Sequence, residues 1–150
     1  MDMVIGIIGE SCTGKSTLAD KLKTPLNAEV YTGKDYIRLA KNEADAKTAF
    51  AAILQNAMTE GYVLYVISEP EHVPLLPEGA LRVLVKADLA TIEQRFAVRM
   101  NGVLPPPVQQ MLARKHGCFD TGRYDVIADG ASADAAEEAY AQILEMCRCN

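Results

Sequence analysis

Apolar runs of strand length alternate with helical patterns along the whole chain. Five apolar runs predict β-strands, at 3–8, 28–31, 62–67, 81–85 and 124–128. The remaining periodic segments predict helices, at 15–23, 33–60, 88–101, 105–116 and 132–147. This alternation predicts an α/β fold, a doubly wound five-stranded parallel sheet flanked by helices. Ligands of such sheets bind beyond the carboxyl ends of the strands.

The longest helical segment divides into two parts of different character. Its first part carries Lys34, Arg38 and Lys41 at i, i+4 and i+7, so an α-helix would place them on one face. Its second part, residues 44–58, has an apolar stripe suited to packing on the sheet. We therefore expect a basic face followed by a buried face.

The composition fits one domain spanning residues 1–150. Apolar residues make up 49% of the chain, which argues against disorder, and no apolar run approaches membrane-spanning length. The N-terminus enters a strand directly and lacks the pattern of a signal peptide, so we expect a cytoplasmic protein with no membrane partner. The net charge is −5 without a basic block, which argues against a nucleic-acid polymer as partner. Nothing in the sequence indicates the oligomeric state.

Residues 9–16 read G-E-S-C-T-G-K-S, which matches the phosphate-binding P-loop pattern G-x-x-x-x-G-K-S. A strand precedes the motif and a helix follows it, as phosphate binding requires. We expect Lys15 to stabilise the β- and γ-phosphates and the Ser16 hydroxyl to ligate Mg²⁺, with ATP and Mg²⁺ as the cofactors. The residues expected to bind the nucleotide here are Gly9, Glu10, Ser11, Cys12, Thr13, Gly14, Lys15, Ser16 and Thr17.

A GTPase is one alternative for a P-loop protein, and the sequence argues against it. Guanine selection in GTPases usually needs N-K-x-D after a strand, and the nearest match here is residues 85–88. Val85 lacks the amide of that motif, so Asp88 is better interpreted as a helix cap.

A kinase needs a metal-side acid and cations around the transferred group. Glu69 follows the strand at 62–67, where an acidic residue can organise Mg²⁺ and its waters. Arg95 and Arg99 share one helix face, and a Gly- and Pro-rich connector leads from them to Arg114. Residues 95–116 therefore have the plan of a lid that closes over phosphates.

These motifs together resemble the P-loop nucleoside-monophosphate kinases, most closely guanylate kinase. Residues 93–99 match the family pattern E-x-R-x-x-x-R, and Arg114 matches its second lid arginine. Residues 124–129, which read Y-D-V-I-A-D, resemble the last strand of the family. In the family the last of these ends in Asn near the adenine, and here Asp129 stands in that place. The resemblance implies a P-loop kinase type of fold, with Lys15, Arg95, Arg99 and Arg114 as catalytic residues.

The acceptor side departs from that family. The chain lacks the Thr-Thr-Arg-x-x-Arg segment and the small β-rich subdomain of guanylate kinases. What remains is residues 31–60, in which Tyr36 matches a phosphate-contacting tyrosine of the family. We expect Lys34, Tyr36, Arg38 and Glu69 to hold a small-molecule phosphate acceptor, a nucleoside monophosphate in the leading interpretation. The alternatives are a kinase for a non-nucleotide metabolite, with Asp35 or Glu69 as base, and a nucleotide-binding regulatory module.

Cysteine and histidine add little to this interpretation. The four cysteines fit no standard zinc spacing, and free thiols are the expectation for the Cys147-x-Cys149 pair. Cys12 lies at a helix N-terminus beside Lys15, where oxidation is a more plausible outcome than catalysis. His72 and His116 are not expected to be catalytic, because a phosphate acceptor needs no strong base.

Overall fold

The computed structural model describes residues 3–130 and 132–148. Its strands and helices follow the predicted order, with ends shifted by a few residues. The strands are β1 (Met3–Ile8), β2 (Glu29–Thr32), β3 (Tyr62–Ile67), β4 (Leu81–Lys86) and β5 (Val126–Asp129). The α-helices are α1 (Lys15–Leu26), α2 (Glu43–Ala57), α3 (Leu89–Arg99), α4 (Pro106–Lys115) and α5 (Ala133–Arg148). Short 3₁₀ helices cover Asp35–Leu39 and Pro70–Leu75.

The strands of the described residues form one parallel sheet in the order β2-β3-β1-β4-β5. Strands β1 and β3 end level, because Ile8 pairs with Ile67, and β4 continues past Leu84, the partner of Ile8, to Lys86. The P-loop after β1 and the segments after β3 and β4 therefore leave the sheet at the same edge. The predicted α/β class with a five-stranded parallel sheet is confirmed.

Helices cover both faces of the sheet because β1 is apolar at every position. Ile5 and Ile7 point to one core, where α1 and α5 pack through residues such as Leu22 and Ile143. Val4 and Ile8 point to the other core, which α2 and the 3₁₀ helices cover. A third apolar cluster joins α3 and α4 to the P-loop. This last cluster holds the lid-like segment against the edge at which the P-loop lies.

The helix predicted for 33–60 is interrupted, and the prediction of one basic face is wrong. Residues 35–39 form a 3₁₀ helix that ends at Ala40, whose backbone is extended. Asn42 then begins α2, because its side chain accepts a 2.8 Å hydrogen bond from the Asp45 amide. A 3₁₀ helix has three residues per turn, so positions four and seven apart do not share a face.

Two other segments also differ from the sequence-based expectation. Residues 70–75 are a 3₁₀ helix rather than a non-helical loop, since Pro70 fits the first turn of a helix. Helix α1 continues through Pro25 to Leu26, because a left-handed Asn27 caps the carbonyl groups of the last turn.

Asp88 is a helix cap as expected, and it accepts from the Thr91 amide at 2.7 Å. Hydrogen bonding from Thr91 lowers the pKa of Asp88. Within the described residues, no helix has the length and apolar character needed to cross a membrane.

Candidate active site

The P-loop backbone has the tight shape that its glycines permit. A Cβ at Gly9 would lie 2.2 Å from the Val85 carbonyl oxygen, so only glycine fits between β1 and β4 there. Gly14 has a φ of 108°, in the region that side chains disfavour. Cys12 has a φ of 64° without being glycine, which stores backbone strain inside the loop.

The end of β5 packs against the P-loop at Gly130. A Cβ at this position would lie 1.6 Å from the carbonyl oxygen of Thr13, which leaves no space for a side chain. The Gly130 amide also donates to the Lys86 carbonyl at 2.7 Å, so β4 fixes it from the other side. The sequence places Gly130 at this edge but offers no signal for so close an approach.

Lys15 is buried within the loop, with a relative exposure of 6%. Its Nζ donates to the Glu10 carbonyl oxygen at 2.5 Å. Burial is the main reason that the pKa of Lys15 is lowered to about 8; Cys12 and Glu10 act against it, and the charge of Arg99 acts with it. Lys15 is thus a desolvated cation that gains from a nearby anion.

A small cavity of about 140 Å³ opens above Lys15. The P-loop lines it on one side, and Arg99 and the ends of β2 and β3 line the other. The hydroxyl-bearing residues in its lining include Ser16, Thr32 and Ser68. Amide-rich backbone, a buried lysine and an arginine fit phosphate groups.

Arg95 and Arg99 connect this cavity to a larger one. The larger cavity, of about 850 Å³, lies between the start of α1, α3 and the end of β5. Both arginines line it, and Arg99 also lines the small cavity. The guanidinium of Arg95 donates to the carbonyl oxygens of Cys12 at 3.1 Å and Gly130 at 2.7 Å. Arg95 thereby links the P-loop to β5 while one side of it borders the cavity.

Asp129 does not line the large cavity, and its place beside the nucleotide base stays a prediction. Ala128 and Gly130 line that cavity, and Asp129 lines a separate one of about 360 Å³. Adjacent residues of a strand point to opposite sides, so the strand alternation separates them. Most of the residues that line this separate cavity are acidic, Glu10 among them, and His116 lines it as well.

Glu69 lies after β3 as predicted, but its carboxylate forms an ion pair with Lys115. Nζ of Lys115 is 2.9 Å from one oxygen and 3.2 Å from the other. Lys115 belongs to the predicted lid, but the sequence pointed to its neighbour Arg114. Arg114 is exposed and lines none of the three cavities described.

None of the residues predicted for the acceptor lines the three cavities described. Tyr36 is 1% exposed, stacks on Phe50 and directs its hydroxyl to Glu43 at 3.4 Å. Burial and the Glu43 carboxylate raise the pKa of Tyr36. Arg38 lies 5.5 Å over the Tyr31 ring. Lys34 is exposed, as are Arg38 and Lys41, and none of them lines the three cavities.

Two further candidates, His72 and Cys147, are buried, and Nδ1 of His72 has no hydrogen-bond partner among the described residues. His72 is buried against Tyr36, with ring centroids 6.3 Å apart. Cys147 is buried in the core under α5, and Cys149 lies outside the described residues. Among the described side chains, no group of three or more His, Cys, Asp or Glu is placed to hold a metal ion. A Mg²⁺ ion that arrives with phosphates and uses one or two protein oxygens does not require such a group.

Comparison with known proteins shows the fold. No protein-family model and no curated protein sequence matches the chain. Among solved structures, a gluconokinase from Sinorhizobium meliloti 1021 is 17% identical, with a TM-score of 0.63, and the match covers 98% of this chain and 94% of that one. A shikimate kinase from Aquifex aeolicus vf5 is 18% identical, with a TM-score of 0.55 and coverage of 99% and 98%.

A third solved structure is described as the YorR protein of Bacillus subtilis in complex with phosphorylated GDP. It is 18% identical, with a TM-score of 0.64 and coverage of 96% of this chain and 95% of that chain. At these identities the likeness defines the fold alone. The chain shares its α/β fold, as the sequence predicted, with the gluconokinase and shikimate kinase structures, and the closer resemblance to guanylate kinase stays a prediction.

Proposed function

We propose that the chain is an ATP- and Mg²⁺-dependent kinase for a small acceptor. The observation that carries the proposal is the position of Arg99. It lines the small cavity together with the buried Lys15 and lines the large cavity together with Arg95. A cation at this junction can stabilise charge on a phosphoryl group that moves between a donor and an acceptor.

The large cavity is the proposed donor site. Its volume of about 850 Å³ suits a nucleoside, and pockets for such ligands span roughly 300–1,000 Å³. The phosphates then lie along the P-loop amides, with Lys15 on the β- and γ-phosphates and Ser16 as the metal ligand. Bound Mg²⁺ would neutralise charge on the β- and γ-phosphate oxygens. Arg95 positions the loop through its two carbonyl contacts.

The acceptor we favour is a small metabolite that carries a hydroxyl group. Thr32 and Ser68 line the small cavity opposite the P-loop, where an acceptor would approach the phosphate. The cavity holds about 140 Å³, which is small for a nucleoside monophosphate. Asp35 accepts from the Thr32 amide at 2.9 Å, so a carboxylate lies at the end of β2 to receive the hydroxyl proton.

A nucleoside monophosphate is the second candidate acceptor. It is supported by the resemblance of residues 93–99 to nucleotide kinases and by the fold likeness to a protein solved with phosphorylated GDP. In that case residues 31–60 would have to turn Lys34 and Arg38 toward the cleft. This second candidate therefore requires a rearrangement that the first does not.

The experiment is an ADP-release assay with a panel of hydroxyl-bearing metabolites and nucleoside monophosphates. We expect a hydroxyl compound to stimulate turnover, and Thr32→Val and Ser68→Ala to raise the acceptor KM more than the ATP KM. Thr48→Val, an exposed threonine on α2, is the matched control. Stimulation by nucleoside monophosphates alone would support the second candidate. Nucleotide binding without any stimulated turnover would indicate a regulatory module and contradict the kinase proposal.

A further inference from the structure

Three consecutive residues at the end of α4 bind two carboxylates at the mouth of the P-loop. Lys115 contacts both oxygens of Glu69, at 2.9 and 3.2 Å. The ring Nδ1 of His116 lies 3.1 Å from one oxygen of Glu10, and the Gly117 amide donates to the other at 3.0 Å. The end of the lid-like segment is thus attached to the start of the P-loop and to the end of β3.

The contacts of Glu10 and Glu69 differ in how easily another group can replace the partner of the carboxylate. The Glu10 side chain is only 13% exposed and accepts from a backbone amide, so its contact is partly buried and less open to exchange. The side chains of Lys115 and Glu69 are 48% and 43% exposed. A solvated ion pair of this kind is weak, and another cation can replace the ammonium group at little cost.

The position of Glu69 indicates which cation would replace the ammonium. Its neighbour Ser68 lines the phosphate cavity together with Ser16, the proposed metal ligand. A carboxylate after this strand is suitably placed to accept hydrogen bonds from the waters of Mg²⁺. An ammonium group in contact with the same carboxylate would repel the metal, since two cations would then share one anion.

We propose that Lys115 and Mg²⁺ alternate at Glu69. In the nucleotide-free protein Lys115 neutralises the carboxylate, and arrival of the metal with its nucleotide displaces the ammonium group. Glu10 keeps Gly117 in place throughout, so only the Lys115 side chain is released. Lys115 is a positioning residue that sets the metal affinity of the site. This inference rests on the proposed function, because it requires Mg²⁺ to arrive with a nucleotide.

The test is calorimetric titration of Mg²⁺ into protein saturated with a non-hydrolysable ATP analogue. We expect Lys115→Met to tighten the metal affinity about two- to fivefold, the range that loss of a weak competing ion pair allows. The same substitution in a Glu69→Gln background should have no such effect, because the shared carboxylate is gone. Lys23→Met, an exposed lysine in the last turn of α1, is the control and should leave the affinity unchanged.

A second measurement needs no metal or nucleotide. In urea unfolding of the ligand-free protein, Lys115→Met should lower the midpoint slightly in the wild type and not in the Glu69→Gln background. Unchanged or weakened metal affinity in Lys115→Met, with normal nucleotide binding, would overturn the exchange alone. A wild-type protein that binds no nucleotide would overturn the proposed function and the exchange with it.

Discussion

At the scale of single residues, Lys15 combines a functional advantage with a cost in stability. Its ammonium group is buried, and the accepting Glu10 carbonyl satisfies only one of its three donors in the described contacts. Burial disfavours the charged form and lowers the pKa of Lys15 to about 8. A bound phosphate would supply the missing negative charge, so the site is arranged for an anion that the free protein lacks.

Replacement of Lys15 by methionine should therefore stabilise the free protein while abolishing nucleotide binding. At pH 7 the lysine is charged in both states, and its burial costs about 1–3 kcal/mol that methionine does not incur. Above a pH of about 8 the folded lysine loses its proton while the unfolded one keeps it, up to about pH 10.5. Wild-type stability should thus rise through this interval relative to Lys15→Met. Urea unfolding of both proteins at pH 7 and 9.5 measures the difference. A wild type that is the more stable of the two at pH 7 would contradict the expectation.

The sequence identified the residues of the P-loop but not all of their partners. Lys15, Ser16 and Arg99 line the small cavity because the motif and the spacing of the arginines constrain where they lie. Lys115 could not be distinguished from Arg114 by sequence, since which residue of α4 meets Glu69 depends on the rotation of the helix. Thr32 and Ser68 were missed because a hydroxyl residue after a strand is common and carries no pattern.

At the scale of elements, the contact between β5 and the P-loop depends on a single glycine. The carbonyl oxygen of Thr13 occupies the space that a side chain at Gly130 would need. Arg95 then bonds to the carbonyl of Gly130 and to that of Cys12, which ties the two segments together. A change at this position must therefore move either the strand end or the phosphate loop.

Gly130→Ala should weaken nucleotide binding more than it weakens the fold. We expect a loss of about 1–3 kcal/mol in unfolding free energy from overpacking, and a fall in nucleotide affinity of about tenfold or more because the loop amides are displaced. Gly6→Ala provides the contrast, since the atoms nearest to its Cβ would belong to the flexible Leu76 side chain, the closest at 2.6 Å. That variant should lose stability without losing nucleotide affinity. Calorimetric titration with ATP and urea unfolding separate the two effects. Equal affinity losses in both variants would mean that general destabilisation, and not loop displacement, is responsible.

The sequence predicted the strands better than the segments between them, for a physical reason. A continuous apolar run such as residues 62–67 has one stable place, the middle of a sheet covered on both faces. Residues 33–41 offered a helical charge pattern, but the 3₁₀ helix there is set by tertiary packing of Tyr36 beneath α2. The break before α2 did carry a signal, because Asn42 and Asp45 have the spacing of a helix cap.

At the scale of the whole molecule, the two sides of the phosphate site differ in construction. On the side proposed for the acceptor, Phe50 of α2 packs on the rings of Tyr31, Tyr36 and Tyr65 at centroid distances of 5.0, 5.5 and 4.9 Å. The hydroxyl of Tyr65 also donates to the Gly33 carbonyl at 2.7 Å, and burial raises its pKa. The side proposed for the donor is instead open, with a cavity of about 850 Å³ between α3 and the P-loop. Motion on ligand binding should therefore be concentrated in α3 and α4.

Amide hydrogen exchange with and without ATP and Mg²⁺ tests this asymmetry. We expect added nucleotide to slow exchange in residues 89–115, because α3 supplies a wall of the large cavity and α4 packs on α3 through their shared apolar cluster. Exchange in α2 should change little, because its aromatic contacts are already closed in the free protein and none of its residues lines the three cavities. Lys15→Met, which should bind no nucleotide, is the control in which neither region responds. Protection confined to α2 would place the closing motion on the acceptor side, and a nucleoside monophosphate held by residues 31–60 would then become the better account of the acceptor.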